Sequence, residues 1–162
     1  MASNYENLVL VLVTGQVKFV LVGGVAAVVH GSAHLTADLD VVYARDADNI
    51  KRLVEALKPY APYLRDAPPD LPFVFDENTV KAGLNFTLTT TLGNLDLLGE
   101  VTGGGTFENL LPHSEEIEVF GVKCWCVNLE KLIHLKRAAG RPKDFEVIAE
   151  LELILREKQN QN

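Results

Sequence analysis

An apolar run over residues 19–29, broken in its middle by Gly23-Gly24, constrains the fold more than any other feature of the sequence. The run is far shorter than the ~20 residues of a membrane-spanning helix. Glycine pairs end regular elements, and a short continuous apolar run is typical of a buried strand. The sequence therefore predicts a strand over residues 17–22 that turns at the glycines into a short helix over residues 25–29, which ends at His30-Gly31.

The rest of the chain alternates helix and strand signals, which indicates one α/β (α+β) domain over residues 1–162. Apolar spacing predicts further helices over residues 5–13, 46–57, 129–139 and 142–157. Asp46 or Asp48 could cap the helix over residues 46–57. Gly93-Asn94 predicts a hairpin turn, and further strands are expected at residues 39–42, 85–92, 95–98 and within 118–127.

Two segments are expected to be irregular. Five of the seven prolines lie between residues 58 and 72. Because proline cannot donate a backbone hydrogen bond, this segment is predicted to be a loop, and it could carry substrate contacts. The run Gly103-Gly104-Gly105 lacks the Lys-Ser or Lys-Thr of a phosphate loop, so it predicts a flexible loop.

Charge and cysteine content limit the class of protein. A net charge of −7 disfavours a protein whose whole surface binds nucleic acid. Five of the fifteen basic residues nevertheless lie between Lys131 and Lys143 with no acid among them, which allows either a local anion site or a solvated helix face. Cys124 and Cys126 are expected to be reduced and inert. With no secretory signal or membrane segment predicted, we expect a cytoplasmic protein.

Three aspartates form the candidate centre for chemistry. Asp38 and Asp40 are two apart on a predicted strand, so their side chains point to the same side, about 6.6 Å apart along it. Bare carboxylates so placed repel each other, and divalent cations remove that repulsion. Asp96 is the preferred third carboxylate. It lies between leucines in an apolar strand, where burial of a charged group is costly and indicates that the group has a function.

The glycine turn and two histidines are further candidates. Gly23-Gly24 leaves backbone N–H groups uncovered at the start of a helix, where phosphate binds well, although a purely structural tight turn has the same sequence. His30 is expected to bond the backbone at a helix end. His34 lies close to the carboxylates in the sequence and could contact phosphate.

The order of these features resembles the nucleotidyltransferase superfamily, whose best-known member is DNA polymerase beta. The closer likeness is to its minimal bacterial branch, which includes the abortive-infection nucleotidyltransferases. That branch has a strand, Gly-Gly, a helix ending in His-Gly and a Thr-x-Asp-x-Asp strand, matched here by Gly23, Gly24, His30, Gly31, Thr36, Asp38 and Asp40. Its later signature, Leu-Ile-x-x-Lys followed by Gly-Arg-x-Lys-Asp, is matched by residues 132–136 and 140–144.

The chain departs from that pattern at two places. Family members usually carry arginine where this chain has His34, and often an acid near Val147. The first difference could weaken or retune a phosphate contact. Neither difference removes a metal-binding carboxylate.

The resemblance implies a nucleotidyltransferase fold, with a small mixed β-sheet flanked by helices and further helices at the C-terminal end. It implies transfer of a nucleoside monophosphate from a nucleoside triphosphate to a hydroxyl acceptor, with release of pyrophosphate. Asp38 and Asp40 would bridge two Mg²⁺ ions, or Mn²⁺ in their place, and Asp96 would be a ligand and the base. The nucleotide would be held by Gly23, Gly24, His34, Thr36, Lys136 and Lys143.

The acceptor and the partners stay open. A tRNA end, a protein side chain or a small molecule would all suit the chemistry, and the acidic net charge leans toward the last two. A cognate antitoxin-like partner would fit the bacterial branch. Two other functions compete: a catalytically silent module of the same fold that binds nucleotide or a protein partner, and an unrelated α/β hydrolase of phosphate esters using the same carboxylates.

Overall fold

The structure, a computed structural model, describes residues 4–161. The α-helices are α1 Asn4–Thr14, α2 Gly23–Val29, α3 Ala47–Leu57, α4 Glu77–Ala82, α5 Phe107–Leu110, α6 Leu129–Ala139 and α7 Phe145–Asn160. The strands are β1 Phe19–Val22, β2 Leu39–Tyr43, β3 Tyr63–Leu64, β4 Phe86–Thr90, β5 Gly93–Leu98, β6 Ser114–Val119 and β7 Val122–Val127. Short 3-10 turns lie at Lys58–Tyr60, Leu111–His113 and Pro142–Asp144.

The strands form one seven-stranded sheet in the order β3-β4-β5-β2-β1-β7-β6. The pairs β1–β7 and β2–β5 are parallel, and the other neighbours are antiparallel. The predicted mixed sheet is therefore confirmed. Strand β2 lies between β5 and β1 in the middle of the sheet, so that a side chain on it has neighbours on both sides.

The central strands and two groups of helices form the core. Leu21, Val41, Leu95 and Leu97 are fully buried. Helix α1 contacts α3, β5 and β7, whereas α2 contacts β1, β2 and α6, which in turn contacts α7. Burial of these apolar faces is the main stabilising contribution to such a domain.

Buried Asn49 connects α3 to the sheet. Its Nδ2 donates to the carbonyls of Lys18 and Ala44, and its Oδ1 accepts from the Lys18 N–H at 2.6 Å. The Asp46 carboxylate accepts from the Asn49 N–H and caps the helix, so Asp46 and not Asp48 is the cap. The hydrogen bonds of Asn49 fix the end of the strand–helix–strand unit that carries the site.

The hairpin is present, but its turn lies two residues before the predicted Gly93-Asn94. Gly93, at a φ of +128°, is the first residue of β5, and the turn is formed by Thr91 and Leu92. The Thr90 hydroxyl donates to the Gly93 carbonyl at 2.8 Å and accepts from the Leu92 N–H at 3.1 Å. A threonine side chain closes this turn, and threonine also belongs to the strand pattern, so the sequence did not separate the two roles.

Other boundaries also differ from the predictions. The proline-rich segment contains a 3-10 turn and the edge strand β3, which the prediction of a plain loop missed. The segment around Gly104 is not a flexible loop: Val101 and Gly105 form a β-bridge, and a Cβ on Gly104 would lie 2.7 Å from the Leu135 side chain. The prediction also missed α4 and α5, and β6 begins at Ser114. Within residues 4–161, no helix has both the length and the apolar character needed to cross a membrane.

Candidate active site

Strands β2 and β5 bring two of the predicted aspartates side by side. Asp40 and Asp96 are Cα partners in the parallel pairing of β2 with β5, which sets their side chains beside each other. Asp38 lies just before β2 rather than inside it, and its Oδ1 accepts from the Asn94 side chain at 3.2 Å. The three carboxyl groups therefore meet on one face of two neighbouring strands.

Asp40 is the most perturbed acid of the site. Burial, followed by the charges of Asp96 and Asp38, raises the pKa of its carboxyl from 3.8 to about 7. Its Oδ1 is buried and has no hydrogen-bond partner among the described residues. A buried carboxylate oxygen without a partner is costly, so this atom is suited to receive a proton or a cation.

Arg65 is a member of the site that the sequence did not indicate. Its Nη2 donates to Asp96 Oδ1 at 2.7 Å and to the Leu88 carbonyl at 2.8 Å. Its Nη1 lies 3.7 Å from Asp38 Oδ2. The guanidinium therefore lies between Asp38 and Asp96 and neutralises part of their charge.

The partners of the three acids indicate which carboxylate oxygens could hold a divalent cation. Across the part of the chain that the structure describes, no group of three or more His, Cys, Asp or Glu side chains is arranged to hold a metal ion. Asp38 is engaged by Asn94 and Arg65. Both Asp38 oxygens have such partners, whereas Arg65 engages Asp96 through Oδ1, and Asp40 Oδ1 has no partner among the described residues. Mg²⁺ typically needs only one or two carboxylates when phosphate oxygens and waters complete its shell, so Asp40 and the second oxygen of Asp96 could hold it.

Both turn glycines are required by close contacts. Gly23 has a φ of +67°, and a Cβ there would lie 2.0 Å from Asp40 Oδ2. A Cβ on Gly24 would lie 2.6 Å from the Thr36 hydroxyl oxygen. The glycines thus let Asp40 and Thr36 pack directly on the backbone at the start of α2, where no side chain caps the helix.

Two cavities meet at the carboxylates, and both are lined by Asp40, Asp96, Lys136 and Arg141. The first, of about 230 Å³, we call the apolar cavity; its other lining residues include Gly23, Leu98, Val101, Leu132 and Leu135. The second, of about 220 Å³, we call the basic cavity because Lys143 joins Lys136 and Arg141 in its wall; it is also lined by Gly24, His34, Thr36, Asp38 and Asp144. The acids thus separate two spaces of different character.

The basic side chains are held at the junction of α6 and α7. Lys136 is buried, and its Nζ lies 3.5 Å from Asp144 Oδ1. Arg141 donates through Nε to Asp144 Oδ2 at 2.7 Å, while Lys143 is exposed on the wall of the basic cavity. Gly140 ends α6 in the left-handed conformation, and the following residues bend back toward the cavity.

His34 also lines the basic cavity, but it is engaged by helix α7. Its Nδ1 is 3.0 Å from Glu150 Oε1, and its Nε2 is 3.8 Å from Glu146. Glu150 further accepts from the Ala33 N–H at 2.9 Å and from the Ser32 hydroxyl, and these bonds lower the pKa of its carboxyl. A phosphate role for His34 stays a prediction, and it would require these contacts to change.

The chain matches no family model, and no curated protein of similar sequence was found. Among solved structures it is similar to a protein from Thermotoga maritima whose crystal structure is described as that of a "putative nucleotidyltransferase". The TM-score is 0.55 at 13% identity, and the match covers 99% of this chain and 97% of that one. The chain has a nucleotidyltransferase-like fold. Nothing in this likeness tests the abortive-infection branch, which stays a prediction.

Two other predicted features of this nucleotidyltransferase-like chain can be placed. His30 ends α2, and its Nε2 lies 2.7 Å from the Val127 carbonyl, which confirms the expected helix-end residue bonded to backbone. Cys124 and Cys126 are free, and burial raises the pKa of their thiols to about 11 and about 12. Thiols so protonated are poor nucleophiles at neutral pH.

The sequence did not predict that Arg65 and Asn94 belong to the site, or that Arg141 faces both cavities. Arg65 lies in the proline-rich segment without a motif, and only the pairing of β3 with β4 brings it to the acids. Asn94 was assigned to a turn. Arg141 stood in the matched Gly-Arg-x-Lys-Asp segment and could have been selected there, since arginine beside a predicted phosphate site is a strong candidate for phosphate contact.

Proposed function

We propose that the protein transfers a nucleoside monophosphate from a nucleoside triphosphate to a hydroxyl acceptor and releases pyrophosphate. The observation that carries this proposal is the meeting of Asp40 and Asp96, with one buried oxygen lacking a partner, at the boundary of the apolar and basic cavities. In a reaction between two bound molecules, both must reach the same charged centre. Two cavities that share the acids allow one reactant to bind in each.

The basic cavity suits the triphosphate. Lys136, Arg141 and Lys143 line it and would offset the charge that develops on the phosphates. The backbone N–H groups that follow Gly23 and Gly24 at the start of α2 would add neutral donors. Thr36, packed on Gly24, would position this turn.

The chemical step would take place at the acids. The acceptor oxygen bonds to the α-phosphorus, the bond from that phosphorus to the bridging oxygen of the β-phosphate breaks, and pyrophosphate leaves with that electron pair. Asp96 would receive the hydroxyl proton. The proton that Asp40 retains because of its raised pKa would pass to solvent before Asp40 serves as a cation ligand. Mg²⁺ held by Asp40 and Asp96, with Mn²⁺ as a substitute, would supply Lewis-acid polarisation of the α-phosphate.

The acceptor would enter through the apolar cavity, which opens on the other side of the acids. A volume of about 230 Å³ admits the reacting end of a molecule, so a small molecule, a protein side chain and an RNA end all fit. The net charge of −7 favours the first two. A cytoplasmic enzyme paired with an antitoxin-like partner stays within this proposal.

A second candidate is a catalytically silent module of the same fold that binds nucleotide or a protein partner. Arg65, placed between Asp38 and Asp96, favours it, because a fixed guanidinium at the acids opposes the entry of cations. The two candidates differ in one measurable outcome, the appearance of label on an acceptor.

The test incubates the purified chain with each of four α-³²P nucleoside triphosphates, Mg²⁺ and a cell extract. Transfer of label that is lost in Asp40→Asn and retained in Asp48→Asn would support the proposal. Asp48 is the matched control because it belongs to the exposed Asp46-Ala47-Asp48 pair outside the site. Nucleotide binding without transfer would support the silent module. Labelled nucleoside diphosphate or monophosphate with no labelled acceptor would indicate a hydrolase. Transfer that survives in Asp40→Asn would overturn the assigned roles.

A further inference from the structure

Arg65 reaches the acids because it continues the edge of the sheet. Its N–H donates to the Thr87 carbonyl at 3.0 Å, directly after the β3–β4 pairing ends at Leu64. Thr87 is the register partner of Asp96, which is the partner of Asp40. The arginine therefore approaches the carboxylates along the sheet, from the side of edge strand β3.

The contacts of Arg65 are directed at protein atoms. The guanidinium spans Asp96 Oδ1 and Asp38 Oδ2, and its Nη2 also donates to the Leu88 carbonyl. Its side chain is only 17% exposed, and it lines neither the apolar nor the basic cavity. An arginine that binds phosphate would line the basic cavity, as Arg141 does. Arg65 instead contacts carboxylates, and we assign it to holding them.

The charge balance at the acids gives Arg65 its role. Asp38 and Asp96 are neighbours whose facing oxygens would repel each other without a cation between them. The guanidinium supplies one fixed positive charge at that place. A divalent cation between Asp38 and Asp96 would have to take the place of the guanidinium, whereas the Asp40 oxygen without a partner lies outside the contacts of Arg65. The repulsion between two such cations is far stronger in a partly buried site than in water.

Resting on the function proposed above, we infer that Arg65 is a built-in counter-ion that replaces a second metal ion between Asp38 and Asp96. The site then binds one divalent cation together with nucleotide, at Asp40 and Asp96. Arg65 is a positioning residue: it holds Asp96 and Asp38 in place and does not touch the reacting atoms.

The test counts Mn²⁺ ions bound per chain, by electron paramagnetic resonance of free Mn²⁺, with and without a non-hydrolysable nucleoside triphosphate analogue. Wild type is expected to bind one ion with the analogue. In Arg65→Gln, which keeps an amide donor but removes the charge, we expect a second ion, or binding to the nucleotide-free chain that is tighter by about tenfold or more. Arg137→Gln, a change in an exposed arginine paired with Glu152, is the matched control and should behave as wild type.

A second variant keeps the inference testable if Arg65→Gln does not fold. Both oxygens of Asp38 are engaged, by Asn94 and by Arg65, so Asp38 is not an ion ligand in this proposal and Asp38→Asn should still bind one Mn²⁺ per chain with the analogue. Any of three results would overturn the inference. They are two ions bound to wild type, loss of the ion in Asp38→Asn, and unchanged Mn²⁺ binding in folded Arg65→Gln. A wild-type chain that binds neither Mn²⁺ nor nucleotide would refute the proposed function itself, which is a different result.

Discussion

The site contains two clusters of like charge, and each is held by one residue of the opposite charge. On the sheet, Arg65 holds Asp38 and Asp96; at the junction of α6 and α7, Asp144 holds Lys136 and Arg141. The acid cluster is partly open to solvent, with Asp96 29% and Asp38 43% exposed. The pair of Lys136 with Asp144 is only 7% exposed on each side.

This difference indicates what each cluster can do. A buried ion pair is expensive to break, because the remaining charge has no water to solvate it. The basic cluster should therefore be a rigid wall for phosphate. The acid cluster, partly solvated and with a buried oxygen of Asp40 lacking a partner, can exchange its partners when a cation and nucleotide arrive.

The largest expected effect comes from the acid cluster. Asp40→Asn should reduce transfer by about a thousandfold or more, because the cation loses a charged ligand at the reacting phosphate. The same variant should be more stable than wild type at pH 8. The pKa of Asp40, 3.8 ordinarily, is about 7 in the folded chain, so the folded chain keeps a proton that the unfolded chain loses, and stability falls as the pH rises from about 4 to 7. Asparagine removes this cost, which is complete above pH 7 and on the order of 4 kcal/mol.

The control for this prediction is the dependence on pH. Thermal unfolding of the two proteins should converge as the pH falls from 8 toward 4, where Asp40 holds its proton in both the folded and the unfolded wild type. A stability difference between wild type and Asp40→Asn that is the same at pH 5 and pH 8 would contradict the buried, proton-retaining carboxyl.

Breaking the basic cluster should have the next largest effect, this time on stability. Asp144→Asn leaves the buried Lys136 without its charged partner, and we expect a loss of about 3 kcal/mol in the free energy of unfolding. Urea denaturation measures it. Nucleotide affinity should fall as well, since Asp144 also aims Arg141.

A double-mutant cycle sharpens this comparison of the two clusters. If the loss comes from an uncompensated lysine, Asp144→Asn should cost much less in a Lys136→Met background. Equal losses in the two backgrounds would show that Asp144 stabilises the 3-10 turn at Pro142–Asp144 rather than the lysine.

A smaller effect is expected from pH on cation binding. Because the pKa of Asp40 lies near 7, Mn²⁺ bound with a nucleotide analogue must displace a proton at lower pH. Affinity should weaken by up to about tenfold from pH 7 to pH 6 and level off above pH 8. Calorimetry in two buffers of different ionisation enthalpy would reveal the released proton, and its absence at pH 6 would contradict the prediction.

The smallest effect should come from the segment between α2 and β2. Glu150→Gln weakens the bonds to the Ser32 hydroxyl and the Ala33 N–H without touching either charged cluster. We expect faster hydrogen exchange at Ala33 and a change in transfer below about threefold. Glu152→Gln, two residues further along α7, is the control and should leave exchange at Ala33 as it is in wild type.

Much of the fold could be predicted because it follows from local patterns. The apolar run before Gly23, the cap at Asp46 and the periodic helix α6 each carry their signal within a few residues. The strand–turn–helix unit and the carboxylate pair were accessible for the same reason. The hairpin turn and the short helices α4 and α5 were not, because their boundaries depend on single side-chain bonds such as those of Thr90 and Thr106.

The sequence alone determined which residue types the site could use: acids two apart before and within a strand, glycines at its turn, and a basic segment near the C-terminal end. Tertiary structure decided how they are combined. The parallel pairing of β2 with β5 placed Asp40 beside Asp96, and edge strand β3 brought in Arg65 from a segment without a motif. Strand pairing joins residues far apart in the chain through backbone hydrogen bonds, which every sequence can form, so the side chains themselves carry little record of which strands will meet.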